Sequence, residues 1–217
     1  MNEIRLDNVT FTRSNIDSEL IIFKNTSINI SGNGKIIIIL GPSGTGKSTL
    51  LNIFFGILET NKGNVIVNGH NLKTSSNKDL MNFRRDTISL MFQNFPLINW
   101  LSCEENIWYM NDNLSQEEIM ESLDEIDLLS IKDYFPTNLS IGQRQRIALL
   151  QNILNNRGIN LLDEPTSALG EKYKFKVMNL LKKYLKSKLL IIATHDKDLL
   201  KYADEVYEIQ NKNVVLK

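Results

Sequence analysis

The stretch "KIIIILGPSGTGKSTL", residues 35–50, decides the fold. Its apolar run at 36–40 has no polar interruption, which predicts a strand buried on both faces of a parallel sheet. A glycine-rich loop follows, and the residues after the loop predict a helix. A buried strand that runs through a short loop into a helix is typical of layered α/β proteins, so we expect that class.

The loop has the spacing of a phosphate-binding motif: glycine, four residues, glycine, lysine, serine. Backbone N–H groups can wrap phosphate oxygens closely only where side chains are small, which explains Gly41, Gly44 and Gly46. Lys47 is expected to reach the outer phosphates, and Ser48 to offer a hydroxyl ligand to Mg²⁺. The alternative is a glycine-rich turn without chemistry, which fits poorly between a strand and a helix. The predicted phosphate-binding residues are Gly41, Pro42, Ser43, Gly44, Thr45, Gly46, Lys47, Ser48 and Thr49.

Further apolar runs extend the α/β pattern on both sides of this loop. They lie at 3–11, 20–23, 64–67, 88–92, 159–162 and 189–194. Period-two alternation in the first run predicts a half-exposed antiparallel strand. The chain end at 205–217 predicts a hairpin that turns near 211–213.

The segment at about 94–152 has a mostly helical pattern. Within it, Ser115 and Glu118 have the spacing of a capping box that opens an amphipathic helix. The expected class is therefore α/β, with an N-terminal antiparallel β subdomain and an inserted helical subdomain. The phosphate loop resembles that of P-loop NTPases, and this resemblance implies a P-loop NTPase (RecA-like) core. The predicted organisation is one domain, 1–217, with the core and β subdomain at 1–93 and 153–217 and the helical subdomain at 94–152.

Composition narrows the function classes. The chain has 217 residues, which suits one large domain or one core with a small inserted subdomain. It holds 25 Lys and Arg against 25 Asp and Glu, so no basic surplus supports binding to nucleic acid. Cys103 is the single cysteine and no internal disulfide can form. The first residues carry acids, unlike a signal peptide, and apolar runs stay far below the ~20 residues that cross a bilayer. A role at a membrane is therefore expected to come through a partner.

A second polar cluster ends the apolar run at 159–162. Asp163 at the strand tip is expected to join the Mg²⁺ shell, and Glu164 to polarise an attacking water as general base. Two adjacent acids at a solvated strand end are the alternative, and the phosphate loop elsewhere in the chain disfavours it.

Two more strand ends carry candidate polar groups. His195 follows the run at 189–194 and is interpreted as a donor to the γ-phosphate or to the attacking water; a strand-end histidine satisfied by backbone is the alternative. Gln93 follows the run at 88–92, where its amide can contact Mg²⁺ or water. The alternative is an exposed polar side chain without a function, which is the commoner case for a lone glutamine.

Taken in order, these motifs resemble the nucleotide-binding subunit of ATP-binding-cassette (ABC) transporters along nearly the whole chain. The order is "GPSGTGKST", Gln93, "LSIGQRQR" at 139–146, "LLDEPTSAL" at 161–169 and His195. The segment "FQNFPLINWLSCEENI" at 92–107 is most similar to the lipoprotein-release, macrolide-efflux and antimicrobial-peptide-resistance branch. We refer to residues 139–146 as the signature segment.

The resemblance implies two subunits that close head to tail around two ATP molecules, with a homodimer expected. Ser140, Gly142 and Gln143 of one subunit would then hold the γ-phosphate of ATP bound to the other. A membrane-spanning permease is the implied second partner. Apolar residues would receive its coupling helix, with ordinary subdomain core as the alternative; they are Phe95, Pro96, Leu97, Ile98 and Trp100.

Three positions depart from the family pattern. Ile141 replaces the first glycine of the signature, and we expect weakened contact with the partner's nucleotide. Gly170 stands where the family has aspartate in "SALD", which puts coupling between the two ATP sites in doubt, and the neighbouring Glu171 could substitute. Arg13 stands where the family places an aromatic on adenine, and a guanidinium plane can also stack on a base.

The expected function is hydrolysis of ATP to ADP and phosphate, coupled to a membrane exporter or extractor of peptide, lipid or drug-like cargo. The expected location is peripheral, on the cytoplasmic face of the cell membrane. A regulatory or mechanical ATPase that moves no substrate is the alternative. A translation-factor or DNA-repair ATPase is disfavoured, because such chains usually join two cassettes or carry coiled coils, and no nucleic-acid partner is expected.

Overall fold

The computed structural model describes residues 1–15 and 18–217. The strands are β1 (Glu3–Asn15), β2 (Ser18–Ser31), β3 (Lys35–Leu40), β4 (Lys62–Val67), β5 (His70–Asn71), β6 (Ile88–Met91), β7 (Ile159–Asp163), β8 (Leu189–Thr194), β9 (Glu205–Gln210) and β10 (Asn213–Leu216). The helices are α1 (Lys47–Phe54), α2 (Asn77–Asp86), α3 (Cys103–Met110), α4 (Gln116–Glu125), α5 (Ile141–Ile153) and α6 (Glu171–Leu185). Three short 3₁₀ segments lie at Leu129–Ile131, Pro136–Asn138 and Lys197–Tyr202.

One sheet has four antiparallel strands in the order β2-β1-β4-β5. β1 is central, and its inward residues Ile4, Leu6 and Val9 are buried while their neighbours are more exposed. The predicted half-exposed antiparallel strand is therefore confirmed. β2 extends well beyond the predicted run at 20–23. The prediction was too short because polar residues alternate with apolar ones along the rest of the strand, so that no continuous apolar run marks it.

The second sheet has six strands in the order β10-β9-β3-β8-β7-β6. β3 lies parallel to β8 on one side and to β9 on the other, and β7 lies parallel to β8. Ile36, Ile37, Ile38 and Ile39 are at most 1% exposed, so the predicted burial of β3 on both faces is confirmed. β9 and β10 form the predicted hairpin at the chain end.

The chain divides into two compact units. The first comprises Met1–Leu90, Arg157–Asp163 and Ser187–Lys217, and the second comprises Met91–Asn156 and Glu164–Lys186. The first unit contains both sheets, α1 and α2, and its core joins residues of β3 and β8 to Leu50, Leu51 and Phe54 of α1. The second unit contains the predicted helical segment and also α6, which the sequence analysis had placed in the core. The boundaries at 94 and 152 stay a prediction.

Serine caps open several helices of the second unit. Ser115 accepts from the backbone N–H of Glu118, whose carboxylate accepts from the Ser115 N–H in return, so the predicted capping box is confirmed. Ser102 and Ser140 form equivalent boxes at α3 and α5.

Across residues 1–15 and 18–217, no helix combines the length and the apolar character that a membrane span needs.

Candidate functional site

The predicted phosphate loop, His195 and Asp163 lie at one edge of the parallel sheet. Leu40 at the end of β3 is in register with Thr194 at the end of β8, and Asp163 at the end of β7 is in register with Ala193. The Gly41 N–H donates to the Thr194 carbonyl oxygen at 3.3 Å, which ties the start of the loop to the neighbouring strand. Ligands of open α/β sheets bind beyond the carboxyl ends of the strands, and this edge has that character.

The loop between β3 and α1 depends on glycine at two positions. Gly44 and Gly46 have φ of +81° and +106°, in the left-handed region that side chains disfavour. A Cβ on Gly46 would also lie 2.8 Å from Ile22 Cγ2, whereas a Cβ on Gly44 would meet nothing within 4 Å. Gly44 is therefore required for its backbone angles alone, and Gly46 for both angles and space.

Lys47 is the first residue of α1, and its side chain folds back over the loop. Its Nζ donates to the carbonyl oxygens of Gly41 at 2.7 Å and Pro42 at 3.1 Å, and the residue is 6% exposed. A buried ammonium group held against the loop by two carbonyl oxygens creates a local positive charge. That is the electrostatic requirement for holding a polyphosphate.

The start of α1 has features that favour a bound anion. Gly46 is the N-cap and contributes no side-chain hydrogen bond, and the first turn holds no acidic residue. The helix dipole and the first-turn N–H groups therefore favour an anion at this point.

Two oxygen donors of the first unit fit a magnesium ion. Ser48 presents an exposed hydroxyl in the first turn of α1, and Asp163 presents a carboxylate at the end of β7 with 6% exposure. Mg²⁺ prefers such hard oxygen ligands, and it usually takes one or two from protein and the rest from water and phosphates.

Glu164, the first residue after β7, has an uncommon backbone conformation. Its φ is +50°, and the residue is 7% exposed. Its carbonyl oxygen accepts from the Ser167 N–H at 3.2 Å and from Gln145 Nε2 at 2.9 Å. A non-glycine residue in the left-handed region is retained where surroundings hold it, often at a functional site.

Gln145 is a residue that the sequence analysis did not single out. It is fully buried in α5, and its amide is bonded at both ends to residues that follow β7. The letters "QRQR" give no signal for this, because polar residues in a helix are ordinarily read as its solvated face.

The signature segment forms the start of α5. Ser140 is its N-cap and accepts from the Gln143 N–H at 3.3 Å, while Gln143 Oε1 accepts from the Ser140 N–H at 2.8 Å. This capping box was missed, although the spacing of Ser and Gln predicts it. Gly142 permits close packing, since a Cβ there would lie 3.1 Å from the Ala168 carbonyl oxygen. Ile141 is helical and its side chain is 58% exposed.

The remaining predicted residues lie on exposed surface. Arg13 is exposed near the end of β1, opposite Leu20 of β2. His195 is exposed directly after β8. Gln93 is exposed in a turn that begins two residues after β6 ends, and it belongs to the second unit. The structure therefore groups His195 with the phosphate loop and Asp163 at one sheet edge, and the functions of all these residues stay predictions.

The apolar residues at 95–100 are only partly buried. Trp100 is 79% exposed, Pro96 is exposed, and Phe95, Leu97 and Ile98 are half-buried. Asn106 fixes this segment, because its amide accepts from the Ile98 N–H and donates to the carbonyl oxygens of Ile98 and Leu101. Full burial in a subdomain core is therefore wrong for Trp100.

Comparison with known proteins identifies the family. Residues 23–167 match the family model described as ABC transporter. The chain belongs to the ABC transporter family. A putative hemin import ATP-binding protein, HrtA of Staphylococcus haemolyticus, is 34% identical over 98% of this chain and 99% of its own length. The lipoprotein-releasing system ATP-binding protein LolD of Treponema denticola is 31% identical over 97% of this chain and 96% of its own.

A solved structure of an ABC cassette supports the same assignment. It shows the cassette MJ0796 of Methanocaldococcus jannaschii as a dimer in a post-hydrolysis state with ADP and Pi. It superposes with a TM-score of 0.88 at 32% identity, over 99% of this chain and 97% of the other. The predicted P-loop NTPase fold and the recognition of an ABC transporter ATPase subunit are confirmed.

Proposed function

We propose that this ABC ATPase subunit hydrolyses ATP to ADP and phosphate, and thereby powers a membrane transporter that exports or extracts peptide, lipid or drug-like cargo. The observation that carries the ATPase assignment is the sheet edge described above. There the buried Lys47 ammonium and two left-handed glycines form one strand-loop-helix junction, and the Asp163 carboxylate ends a strand of the same sheet. Phosphoryl transfer needs this combination of fixed positive groups and a metal-binding carboxylate.

In this proposal the phosphate loop and the predicted site residues bind the nucleotide. Backbone N–H groups of residues 41–49 hold the phosphates, Lys47 leaves the carbonyl oxygens of Gly41 and Pro42 to reach the outer phosphates, and Arg13 stacks on the base. Ser48 and Asp163 hold Mg²⁺, with Gln93 as a further ligand. When bound, Mg²⁺ neutralises charge that develops on the phosphate oxygens.

The reacting water is handled by polar side chains. Glu164 orients the water or accepts its proton, and its burial restricts the movement of its carboxylate. His195 donates to the γ-phosphate, and Gln93 contacts the water or the metal. Catalysis then rests on positioning and charge stabilisation, with little covalent chemistry supplied by the protein.

A second copy of the chain completes the site. Ser140, Gly142 and Gln143 lie at the N-terminus of α5, which presents backbone N–H groups to an anion. In the proposed homodimer they contact the γ-phosphate of ATP held by the other copy. ATP favours the closed pair because both copies contact it, and hydrolysis removes that contact. The dimeric cassette MJ0796 supports this arrangement.

Export or extraction is proposed from the branch resemblance of residues 92–107, and the lipoprotein-releasing relative supports it. A second relative is named for hemin import, so the names of relatives alone do not choose a direction. The proposed location is the cytoplasmic face of the membrane, through a permease that contacts the exposed Trp100 region.

The test is phosphate release by the purified chain with ATP and Mg²⁺, followed by reconstitution with the permease that co-purifies from native membranes. We expect hydrolysis that stops when Lys47 is replaced, and ATP-dependent movement of cargo in proteoliposomes. Wild-type protein that releases no phosphate in either setting would contradict the ATPase proposal.

A regulatory ATPase is the second candidate, and two positions favour it. Ile141 presents a bulky exposed side chain within the signature segment, and Gly170 leaves α6 without a side-chain cap. Both are departures in segments proposed to act between copies. ATP-dependent conformational change in the reconstituted complex, without cargo movement, would select this candidate.

A further inference from the structure

We infer that Gln145 is a positioning residue, which holds the turn that carries Glu164 and so sets the direction of its carboxylate. The inference rests on the proposed role of Glu164 as the group that activates water. A residue of α5 thereby contributes to the proposed hydrolysis site of its own chain.

The side-chain amide of Gln145 is bonded at both ends to one short segment. Nε2 donates to the Glu164 carbonyl oxygen at 2.9 Å and to Ser167 Oγ at 3.3 Å. Oε1 accepts from the Ala168 N–H at 2.9 Å. Gln145 is 0% exposed, so no water competes for these bonds from bulk solvent. A buried amide that spans residues 164–168 fixes the separation between them.

The contact matters because of the backbone angle at Glu164. With φ of +50° the residue occupies a region that side chains disfavour, so other interactions must hold it there. The direction of its carbonyl group follows from the rotation ψ of the same residue. The Ser167 N–H and Gln145 Nε2 both donate to that carbonyl oxygen and fix its direction. They thereby fix the backbone of Glu164, from which its side chain projects.

Gly142 contributes a second contact between α5 and this segment. The approach is so close that a Cβ on Gly142 would lie 3.1 Å from the Ala168 carbonyl oxygen. Gln145 lies about one turn further along the helix. The helix therefore contacts the segment at two successive levels, and the start of α5 cannot shift far without disturbing Glu164.

A buried glutamine that only stabilises the fold is the competing explanation. It predicts loss of folded protein rather than loss of turnover per active site. A positioning role predicts a lower kcat with unchanged ATP affinity, because nucleotide binding uses other residues.

The experiment compares Gln145→Met and Gln145→Ala with a matched control, Gln151→Ala. Gln151 lies on the same helix, and its Nε2 also donates to a backbone oxygen, that of Asn106 at 2.8 Å. The readouts are phosphate release, ATP bound per chain and melting temperature. We expect kcat to fall about tenfold to hundredfold in the Gln145 variants, with KM for ATP within about twofold of wild type, while Gln151→Ala keeps its kcat.

A double-mutant cycle with Glu164→Gln gives a second readout, because groups that act as one unit are not additive. Adding Gln145→Met to Glu164→Gln should lower the single-turnover rate by less than about twofold. Additive losses, a wild-type kcat in Gln145→Met, or an increase in KM alone would overturn the inference.

Hydrogen exchange tests the same contact without any variant. The Ala168 amide of the full chain should exchange at least about 100-fold more slowly than a free peptide, because Oε1 of Gln145 accepts it. Exchange at the free rate would overturn the inference. If the wild-type chain hydrolyses no ATP, the proposed function fails and this inference falls with it; an active wild type with an unaffected Gln145→Met variant overturns this inference alone.

Discussion

Lys47 Nζ lies 2.7 Å from the carbonyl oxygen of Gly41, so the first residue of α1 folds its charge back onto the loop that leads into the helix. Pro42 supplies a second carbonyl acceptor at 3.1 Å. These two backbone contacts hold the ammonium group at the loop, and the proposed nucleotide-bound site exchanges them for phosphate oxygens.

Replacing this charge should weaken nucleotide binding. We expect Lys47→Met to weaken ATP affinity by about tenfold or more, because a hydrogen bond to a charged group contributes about 1.5–3 kcal/mol. Titration with a fluorescent ATP analogue measures it. Lys78→Met, on a surface lysine of α2, is the control, and equal affinities for both variants would contradict the prediction.

Glu164→Gln should trap ATP. The change removes the proposed proton acceptor and keeps the shape of the side chain, so the closed pair should persist after ATP binds. Light scattering with ATP should show a dimer mass for this variant, while Glu121→Gln, at an exposed position of α4, should behave as wild type. A monomer mass for Glu164→Gln at saturating ATP would count against the shared nucleotide site.

Gly170→Asp should stabilise the protein slightly. Gly170 is the N-cap of α6 with φ of −70° and ψ of 161°, angles that any residue adopts, and a Cβ would meet nothing within 4 Å. Aspartate adds the missing side-chain acceptor, which is worth a few tenths of a kcal/mol over glycine, whereas alanine is worse than glycine. Urea unfolding should rank the three proteins Asp, Gly, Ala in decreasing stability. Gly170→Ala as the most stable of the three would refute the capping explanation.

Ile141→Gly should strengthen the contact between copies. The side chain is 58% exposed, so its removal sacrifices little buried surface, and glycine costs at most about 1 kcal/mol of helix stability. In a Glu164→Gln background we expect dimers at lower ATP concentration. Ile141→Ala separates the effect of side-chain size from that of backbone freedom. If the size of the isoleucine is the obstacle, both variants should dimerise at lower ATP concentration. No change in either variant would show that Ile141 does not weaken the contact between copies.

Cys103 should respond to alkaline pH. It is fully buried and donates to the Tyr134 carbonyl oxygen at 3.3 Å, and burial raises the pKa of its thiol from 9.0 to about 11. Because the folded-state pKa is the higher one, the neutral thiol contributes stability that is complete below about pH 9 and is lost as pH rises towards 11. The free energy of unfolding of wild type, relative to Cys103→Ala, should fall by about 1 kcal/mol between pH 8 and pH 10. A pH-independent difference would contradict this account.

The sheet edge could be predicted from local sequence, and the details of the second unit could not. The run at 36–40 has only one reasonable interpretation, and the loop after it has fixed spacing, so β3 and the phosphate loop were recovered together. β2 was underestimated because alternating polar residues weaken an apolar signal.

Tertiary contacts explain what was missed. The left-handed angle of Glu164 has no local cause in the sequence, since glutamate has no preference for it, and it depends on donors supplied by Ser167 and by Gln145 nineteen residues earlier in the chain. The capping box of Ser140 and Gln143 was visible in the spacing, and its letters were interpreted only as ligand contacts. A polar residue can serve both purposes, which a linear pattern does not reveal.

Trp100 and Trp108 are the chain's two tryptophans, and both belong to the second unit, with exposures of 79% and 50%. Tryptophan fluorescence of this protein therefore originates in the unit where the permease is proposed to dock, far along the sequence from the phosphate loop. A blue shift of emission when the two proteins mix would report docking without any label, and an iodide quencher would lose access to Trp100 at the same moment.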